Sequence, residues 1–386
     1  MTDHPLRVAI IGTSARSDYL YGPIVEGLQG RGEVELVAVW GRREEPARQL
    51  GQSLGAPWYT DLDRLVRETA PAIAIVSVAY AANGTVGLMA VEHGLHALLE
   101  TPIAHRLDEA DAIIAAAARR GLKVEVAEQF HRRPHEALRL RLIASGLFGR
   151  VYSSFNDFGG HGYHGVSLMR SYLGFDAAPI KVTGAVRSYD LAPHWSRLAD
   201  TTGPRRETQE HAIVEFADGR LGFYHWTDVG YDSALRWWRS SRFLAEKGMG
   251  VTTDSGIGAP PHDTLTLLAP GGEAPRHIAV ERRYERNDGG ALVALVAHTG
   301  DPALPIVRWD NPFAPRAKGH GPQWHDDEIA VASCLMSLVA AVREGAEPSY
   351  GPLQARLDQE IVLALRQSSR EGGQPVALPL DRALEA

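Results

Sequence analysis

The chain has 386 residues, which is more than one ordinary hydrophobic core needs and suits two domains. Its net charge is −7 and it carries no block of basic residues, so nucleic acid is not an expected partner. No apolar run reaches the roughly 18 residues that cross a bilayer, and the first residues lack a signal-peptide layout. The single cysteine, Cys334, excludes an internal disulfide. We therefore expect a cytoplasmic protein that acts on a small molecule and contacts no membrane.

The first 125 or so residues alternate between strand patterns and helix patterns. The predicted strands are 7–12, 34–41, 72–79, 96–102 and 123–130. Continuous apolar strands separated by amphipathic helices are typical of a parallel sheet that is covered on both faces. Residues 1–127 are therefore predicted to form a doubly wound, Rossmann-type α/β domain, with a ligand crevice at the carboxyl ends of its strands.

The pattern changes at about residue 150 to longer strands with alternating side chains. Residues 211–227 predict two strands around Asp218-Gly219, and helices are predicted at 324–345 and 353–371. Residues 251–275 and 298–322 are rich in glycine and proline and are predicted to be loops. Residues 128–386 are therefore predicted to form an α+β domain with a mainly antiparallel sheet.

The turn after the first strand resembles a dinucleotide-binding loop only in part. The fingerprint places glycine at its first, third and sixth positions, and here these are Gly12, Ser14 and Ser17. Serine is small and can donate a hydrogen bond to a phosphate, so nucleotide binding remains feasible. The alternative is a plain strand-to-helix turn. The predicted cofactor-binding residues here and at the ends of later strands are Gly12, Thr13, Ser14, Ala15, Val78 and Glu100.

The end of the second strand bears on the choice of nucleotide. An NAD site usually has an acidic residue there, which binds the ribose 2′-hydroxyl. This chain has Gly41, Arg42 and Arg43 instead. Guanidinium groups pair well with a 2′-phosphate, so Arg42 and Arg43 favour NADP(H) over NAD(H). The alternative is that both arginines merely begin an exposed helix.

The segment "HALLETPIAHRLDEADAIIAAAARRGLKVEVAEQFHRRP" (96–134) resembles the glucose–fructose oxidoreductase / inositol dehydrogenase (Gfo/Idh/MocA) family. The similarity continues through 138–153 and 341–380. The resemblance implies a Rossmann domain, a second domain with a large open sheet, and assembly into a dimer or tetramer. It also implies NAD(P)-dependent oxidation or reduction of a sugar-like or polyol-like substrate.

Two motifs of that family are only partly present. The resemblance implies a lysine in an "EKP" tripeptide, and this chain has Thr101 at that position. It also implies a "D-x-x-x-H" motif fourteen and ten residues before a glycine, which is Gly174 here. The histidine is retained as His164, whereas the aspartate position is Gly160.

The resemblance implies that His164 is the acid/base residue. A neutral imidazole titrates close to working pH and can move a hydroxyl proton by itself. Thr101 can hydrogen-bond a sugar but is not a strong acid, so we expect it to help position the substrate together with Tyr163 and His161. Alternatively, Tyr163 packs on the following helix and His161 faces solvent.

A metal site is a further alternative. His161 and His164 can reach one ion if their segment turns tightly. A three-residue loop at 217–219 would place His211 directly opposite His225, which makes a four-histidine cluster conceivable. A two-residue loop would instead place the two histidines on opposite faces. Histidines of a sheet that bond only to their neighbours would give the same sequence.

The remaining candidate residues are substrate-binding ones. Trp195 and Trp324 lie in loop-like sequence, where indole faces could stack on sugar rings. Arg132 and His325 are the polar candidates, although His325 could simply cap the late helix.

Three functions are consistent with these residues. The first is an NAD(P)-dependent oxidoreductase with His164 as acid/base. The second is a redox-neutral lyase, epimerase or glycoside-cleaving enzyme on the same scaffold, with a tightly held cofactor or a metal. The third is a non-catalytic regulator that binds a nucleotide or a sugar.

Overall fold

A computed structural model describes residues 4–196, 199–231, 239–254, 262–269, 271, 273–286, 289–315 and 323–380. The chain divides into two compact units. The first comprises Met1–Arg132 and Arg316–Gln359, and the second comprises Arg133–Pro315 and Glu360–Ala386. The boundary that we predicted at 127/128 lies close to the first division, but the prediction did not assign 316–359 to the first unit. None of the helices in the described ranges is long and apolar enough to cross a membrane.

The first unit is built on a six-stranded parallel sheet. Its strands are β1 (Leu6–Ile11), β2 (Val34–Trp40), β3 (Trp58–Tyr59), β4 (Ile73–Val76), β5 (His96–Leu99) and β6 (Val124–Val126). The order β3-β2-β1-β4-β5-β6 confirms the doubly wound prediction and places the change of direction between β1 and β4. The centres of β1 and β4 are fully buried, as expected for strands that are covered on both faces.

The helices of the first unit alternate with its strands, as predicted, but no helix was predicted where α3 forms. They are α1 (Gly22–Gln29), α2 (Glu44–Leu54), α3 (Leu62–Thr69), α4 (Asn83–Glu92), α5 (Leu107–Arg120) and α8 (Asp326–Glu344). A π-helical turn over Ser17–Tyr21 leads directly into α1, and the N–H of Gly22 donates to the carbonyl oxygen of Ser17. Such turns are frequent at functional sites, and this one directly follows the candidate phosphate loop.

The second unit is built on an eleven-stranded, mostly antiparallel sheet, which confirms the predicted α+β class. Its order is β16-β15-β14-β13-β12-β11-β7-β10-β9-β8-β17. The strands are β7 (Val151–Asp157), β8 (Pro179–Ser196), β9 (Thr201–Phe216), β10 (Leu221–Thr227), β11 (Arg239–Ala245), β12 (Gly248–Asp254), β13 (His262–Leu267), β14 (Arg276–Arg286), β15 (Gly289–Asp301), β16 (Leu304–Asp310) and β17 (Val376–Ala377).

The loops predicted at 251–275 and 298–322 are wrong for much of their described length. The first region contains the end of β12 and all of β13, and the second contains the end of β15 and all of β16. Pro305 lies within β16, which is an edge strand, and an edge is where a sheet tolerates a residue that cannot donate a hydrogen bond. Residues 255–261 and 316–322 of these predicted loops lie outside the described ranges.

Helices cover one face of this sheet and leave the other face partly open. The helices of the second unit are α6 (Pro134–Ala144), α7 (Gly162–Leu173) and most of α9 (Pro352–Arg370). Met169 of α7 lies so close to β10 that a Cβ at Gly222 would come within 2.5 Å of its sulfur. On the opposite face Phe155 and Phe223 stack at 4.5 Å, and the neighbouring Ile213 is 41% exposed.

A buried polar network fixes α7 to the sheet and to α6. The Tyr172 hydroxyl donates to Glu136 Oε2 at 2.6 Å and lies 2.9 Å from the Ser241 hydroxyl. Arg139 donates to the Tyr172 hydroxyl at 2.7 Å and pairs with Asp263. Burial acts to raise the pKa of Glu136, but the charge of Arg139 and hydrogen bonds from its neighbours lower that pKa to about 2. Since Tyr172 lies at the end of α7, the network holds the helix that begins at the candidate site.

We expect Glu136→Gln to destabilise the protein at neutral pH and to have little effect at pH 2. The fall in the Glu136 pKa from 4.5 to about 2 corresponds to about 3 kcal/mol of folding free energy. Because the folded-state pKa is the lower one, this contribution is present above pH 4.5 and disappears as the pH falls through 2. Urea unfolding of both proteins from pH 7 to pH 2 measures the difference. Glu68→Gln, at an exposed ion pair, is the control, and a pH-independent difference for Glu136→Gln would contradict the expectation.

Candidate active site

The loop after β1 is shaped by a close approach between the ends of β1 and β4. Gly12 has a φ of +118°, and a Cβ there would lie 2.1 Å from the carbonyl oxygen of Ser77. Only glycine fits this position. The loop therefore keeps the tight turn that a dinucleotide-binding site requires.

The two serines at the other fingerprint positions are tied into the protein. The Ser17 hydroxyl is fully buried and donates to the carbonyl oxygen of Gly12 at 3.0 Å. The Ser14 hydroxyl lies 2.8 Å from that of Ser77, so it shares a hydrogen bond with the end of β4. The Ser17 hydroxyl is therefore used in a hydrogen bond within the loop. Thr13, Ser14 and Ala15 are at least partly exposed.

Two arginines at the end of β2 point to solvent without a partner in the described part of the chain. Arg42 and Arg43 are exposed, and none of the hydrogen bonds or ion pairs among the described residues involves their side chains. Arg48, further along in α2, differs from them because its Nη2 lies 2.7 Å from Glu45 Oε2 and the two side chains form an ion pair. Gly41 leaves no room for an acidic side chain, since a Cβ there would lie 2.6 Å from Thr13 Cγ2. The end of β2 thus offers positive charge and no carboxylate.

The end of β5 carries a buried carboxylate that is already bonded. Glu100 Oε1 accepts from Arg16 Nε at 2.8 Å and from the Tyr21 hydroxyl, also at 2.8 Å. Burial and the nearby charge of Glu100 raise the pKa of Tyr21, so the phenol remains a neutral donor. Thr101 follows with partial exposure, and Val78, at the end of β4, is also partly exposed. These residues lie together at the carboxyl edge of the sheet.

The "GGHGYHG" segment of the second unit is held on the sheet by one asparagine. Asn156 of β7 is fully buried; its side-chain amide donates to the carbonyl oxygen of Gly160 at 2.9 Å and accepts from the Gly160 N–H at 2.8 Å. The N–H of Gly162 donates to the Tyr224 hydroxyl at 2.6 Å. A Cβ at Gly165 would lie 2.4 Å from the carbonyl oxygen of Gly160. The glycines are therefore needed for close packing of the start of α7.

Three of the predicted catalytic side chains lie together at the start of α7. The rings of His161 and His164 are 4.8 Å apart, and those of Tyr163 and His164 are 4.6 Å apart. His161 Nε2 lies 3.3 Å from the Tyr163 hydroxyl, and the His161 ring is 5.6 Å from that of Trp226. His164 is only 6% exposed. Burial, with a smaller effect of His164, lowers the pKa of His161 to about 3, so His161 is neutral at neutral pH.

The structure rules out the conceivable four-histidine cluster. Of the two loop lengths that the sequence left open, the three-residue one forms: the N–H of Phe216 donates to the Arg220 carbonyl at 3.0 Å, and His211 is directly opposite His225. His225, however, is followed by Trp226, the residue that His161 contacts, and successive strand side chains point to opposite faces. The sheet therefore separates the two histidine pairs. Among the described residues, no group of three or more possible ligands is placed to hold a metal ion.

The four predicted substrate-binding residues have contacts of other kinds. Arg132 is buried against Glu125 and donates to the Ser333 carbonyl. Trp324 packs on α1, where a Cβ at Gly27 would lie 2.5 Å from its indole. His325 caps α8, because its side chain accepts a backbone N–H and its own N–H donates to Glu328 at 2.7 Å.

Trp195 lies near the end of β8, so the loop that we predicted there is wrong. Its indole is 52% exposed and its N–H lies 3.3 Å from Asp200 Oδ1. The strand is long because β8 and β9 pair over most of their length, including this end. Trp195 is the only one of the four whose ring is left largely open, and we leave Arg132, Trp324 and His325 out of the proposed site.

The fold and the loop geometry define a Rossmann-type nucleotide-binding unit together with an α+β unit that has a large open sheet. Residues 6–128 match the GFO_IDH_MocA model, an oxidoreductase family with an NAD-binding Rossmann fold. The first part of the chain is therefore similar to the nucleotide-binding domain of this oxidoreductase family, in agreement with the resemblance. No curated protein matches the chain in sequence.

Solved structures with the same fold cover nearly the whole chain. An NAD-binding oxidoreductase from Klebsiella pneumoniae has 16% identity and a TM-score of 0.72 over 98% of this chain and 100% of that one. An oxidoreductase domain protein from Kribbella flavida has 19% identity and a TM-score of 0.70 over 98% and 100%. The aldose–aldose oxidoreductase from Caulobacter crescentus, in complex with glycerol, has 16% identity and a TM-score of 0.66 over 97% and 100%. At these identities the similarity shows the fold, for both units.

We expect Gly165→Ala to disrupt the start of α7. The added Cβ would overlap the Gly160 carbonyl and the Asn156 amide, and overpacking of this kind costs about 1–3 kcal/mol. Thermal unfolding measures the loss. Gly203→Ala in β9 is the matched control, since a Cβ there meets nothing within 4 Å. Equal melting temperatures for the two variants would contradict the close packing.

Proposed function

We propose that this chain is an NADP(H)-preferring oxidoreductase that acts on a sugar-like or polyol-like substrate, with His164 as proton acceptor or donor. The observation that carries the proposal is the pair His161–His164 at the start of α7: the two rings lie 4.8 Å apart, His164 is buried, and His161 is held neutral. The oxidoreductase family match of residues 6–128 supports the nicotinamide cofactor. The aldose–aldose oxidoreductase with the same fold supports the class of substrate.

The first unit fits a nicotinamide nucleotide. Gly12 gives the loop after β1 the tight turn that a dinucleotide-binding site requires, because only glycine fits against the carbonyl oxygen of Ser77. Arg42 and Arg43 offer guanidinium groups for a 2′-phosphate at the end of β2. When bound, the nucleotide supplies a hydride acceptor or donor.

The second unit supplies the proton transfer. Burial lowers the pKa of His161 to about 3, so His161 does not take up a proton near neutrality. We assign the proton transfer to His164, which accepts the proton from the substrate hydroxyl in oxidation and returns it in reduction. His161 and Tyr163 act on His164 and on substrate hydroxyls through hydrogen bonds. Thr101 offers a neutral hydroxyl to the substrate.

Replacing Arg42 and Arg43 together with alanine should remove the preference for NADP(H). We expect the Kd for NADP+ to rise at least tenfold and that for NAD+ to change by less than about twofold, since only NADP+ carries the paired phosphate. Titration of tryptophan fluorescence measures both constants. Arg48→Ala, at an arginine held by Glu45, is the matched control. Equal affinity of the native protein for both nucleotides would refute the preference, and failure to bind either would refute the proposed function.

His164→Gln should lower turnover of an aldose and polyol panel by about 100-fold or more, while nucleotide affinity stays unchanged. Loss of a positioned acid/base typically has this magnitude. Absorbance at the nicotinamide band measures turnover, and His225→Gln, on the opposite face of the sheet, is the control. Near-native turnover of His164→Gln would contradict its role. Product formed by the native protein without a net absorbance change would favour a redox-neutral reaction, and nucleotide binding without any product would favour a regulator.

A further inference from the structure

Arg16 is placed to bind an oxyanion at the carboxyl edge of the first sheet. It follows β1, while its partner Glu100 follows β5, and β4 lies between these strands. The arginine side chain therefore reaches across the end of β4, beside the point where the strand order changes direction. Ligands of open α/β sheets bind at such points.

Only one edge of the Arg16 guanidinium is used within the described part of the chain. Its Nε donates to Glu100 Oε1 at 2.8 Å, and no bond among the described residues involves Nη1 or Nη2. The Arg16 side chain is 36% exposed, whereas that of Glu100 is 11% exposed. A buried carboxylate thus anchors the guanidinium through Nε and leaves Nη1 and Nη2, with four N–H donors, available.

The anchor itself is reinforced. Tyr21 donates to the same carboxylate oxygen at 2.8 Å, and Glu100 Oε2 lies 3.3 Å from the N–H of Thr101. The pKa of Arg16 is raised: burial opposes the shift, but the charge of Glu100 outweighs it. Arg16 therefore stays charged at every working pH and can bind or orient an anion, but it cannot transfer a proton.

We propose that Arg16 determines substrate specificity by binding a carboxylate of the substrate, so that the preferred substrates are sugar acids or related hydroxy acids. Planar guanidinium groups match carboxylates with paired N–H donors. The same chemistry would suit the diphosphate of the nucleotide. The carboxylate is favoured because of where Arg16 lies in the sheet. Its side chain bonds to Glu100 after β5, whereas Arg42 and Arg43 follow β2, on the other side of β1. This inference rests on the proposed function.

The test compares two sugars that differ in one carboxylate. Native protein saturated with NADP+ is titrated calorimetrically with D-glucuronate and with D-glucose. We expect glucuronate to bind at least tenfold more tightly, and Arg16→Gln to abolish this preference while the Kd for NADP+ changes by less than about twofold. Arg16→Lys should restore part of the preference. Arg67→Gln, at an exposed arginine of α3, is the matched control.

Other results overturn the proposal. If Arg16→Gln still prefers glucuronate to glucose, Arg16 does not bind the substrate carboxylate. If, in addition, its affinity for NADP+ is tenfold weaker, Arg16 binds the diphosphate of the nucleotide instead. Because Arg16→Gln leaves Glu100 buried without its cation, Arg16→Gln/Glu100→Gln is measured in parallel, with melting temperatures for all variants. If native protein binds neither nucleotide, the proposed function fails, and the same two sugars then test Arg16 without nucleotide.

Discussion

The second unit depends on the way Asn156 holds the backbone of Gly160. One buried side chain satisfies both the N–H and the carbonyl oxygen of that residue, and it also donates to the His225 carbonyl at 3.1 Å. The turn is thereby fixed to two strands at once, and α7 begins where this turn ends. A loop with unsatisfied backbone groups could not stay buried at this depth. Because His161 and His164 lie at the start of α7, the bonds of Asn156 also fix the positions of these two side chains.

At Gly160 the backbone, and not a side chain, makes the contacts that matter. The family resemblance implies a carboxylate at this position, and the sequence has glycine there. In the structure the backbone of Gly160 is the part that matters, because both of its polar groups are bonded to Asn156. Ser17 is a similar case in the first unit. It stands where the fingerprint has glycine, and its hydroxyl donates to the carbonyl oxygen of Gly12. At both positions a hydrogen bond within the same unit accommodates the departure from the family pattern.

The sequence predicted the features that depend on local periodicity. The alternation of strands and helices in the first unit and the two strands around Asp218-Gly219 follow from short-range patterns, and the structure has them. The short strand β3 and the helix α3 were not predicted, and the loop length that sets His211 opposite His225 was left open. The sequence could not predict which face of the sheet each histidine pair would occupy, because that depends on how α7 returns to the sheet. It also could not show that Trp324 would pack on Gly27, far away in the chain. The strands β13 and β16 were missed because the glycines and prolines around them were interpreted as a sign of loops.

The π-helical turn at Ser17–Tyr21 explains how two side chains meet at one carboxylate. In an α-helix, residues five apart point in directions about 140° apart. A π-turn closes its hydrogen bond at the fifth residue, so such residues come onto the same side. Arg16 and Tyr21 are five apart, and both donate to Glu100 Oε1. The one additional residue in this turn therefore brings Arg16 and Tyr21 to the same side, facing Glu100 at the end of β5. Deleting one residue from the turn would move the guanidinium away from the phenol without changing either side chain.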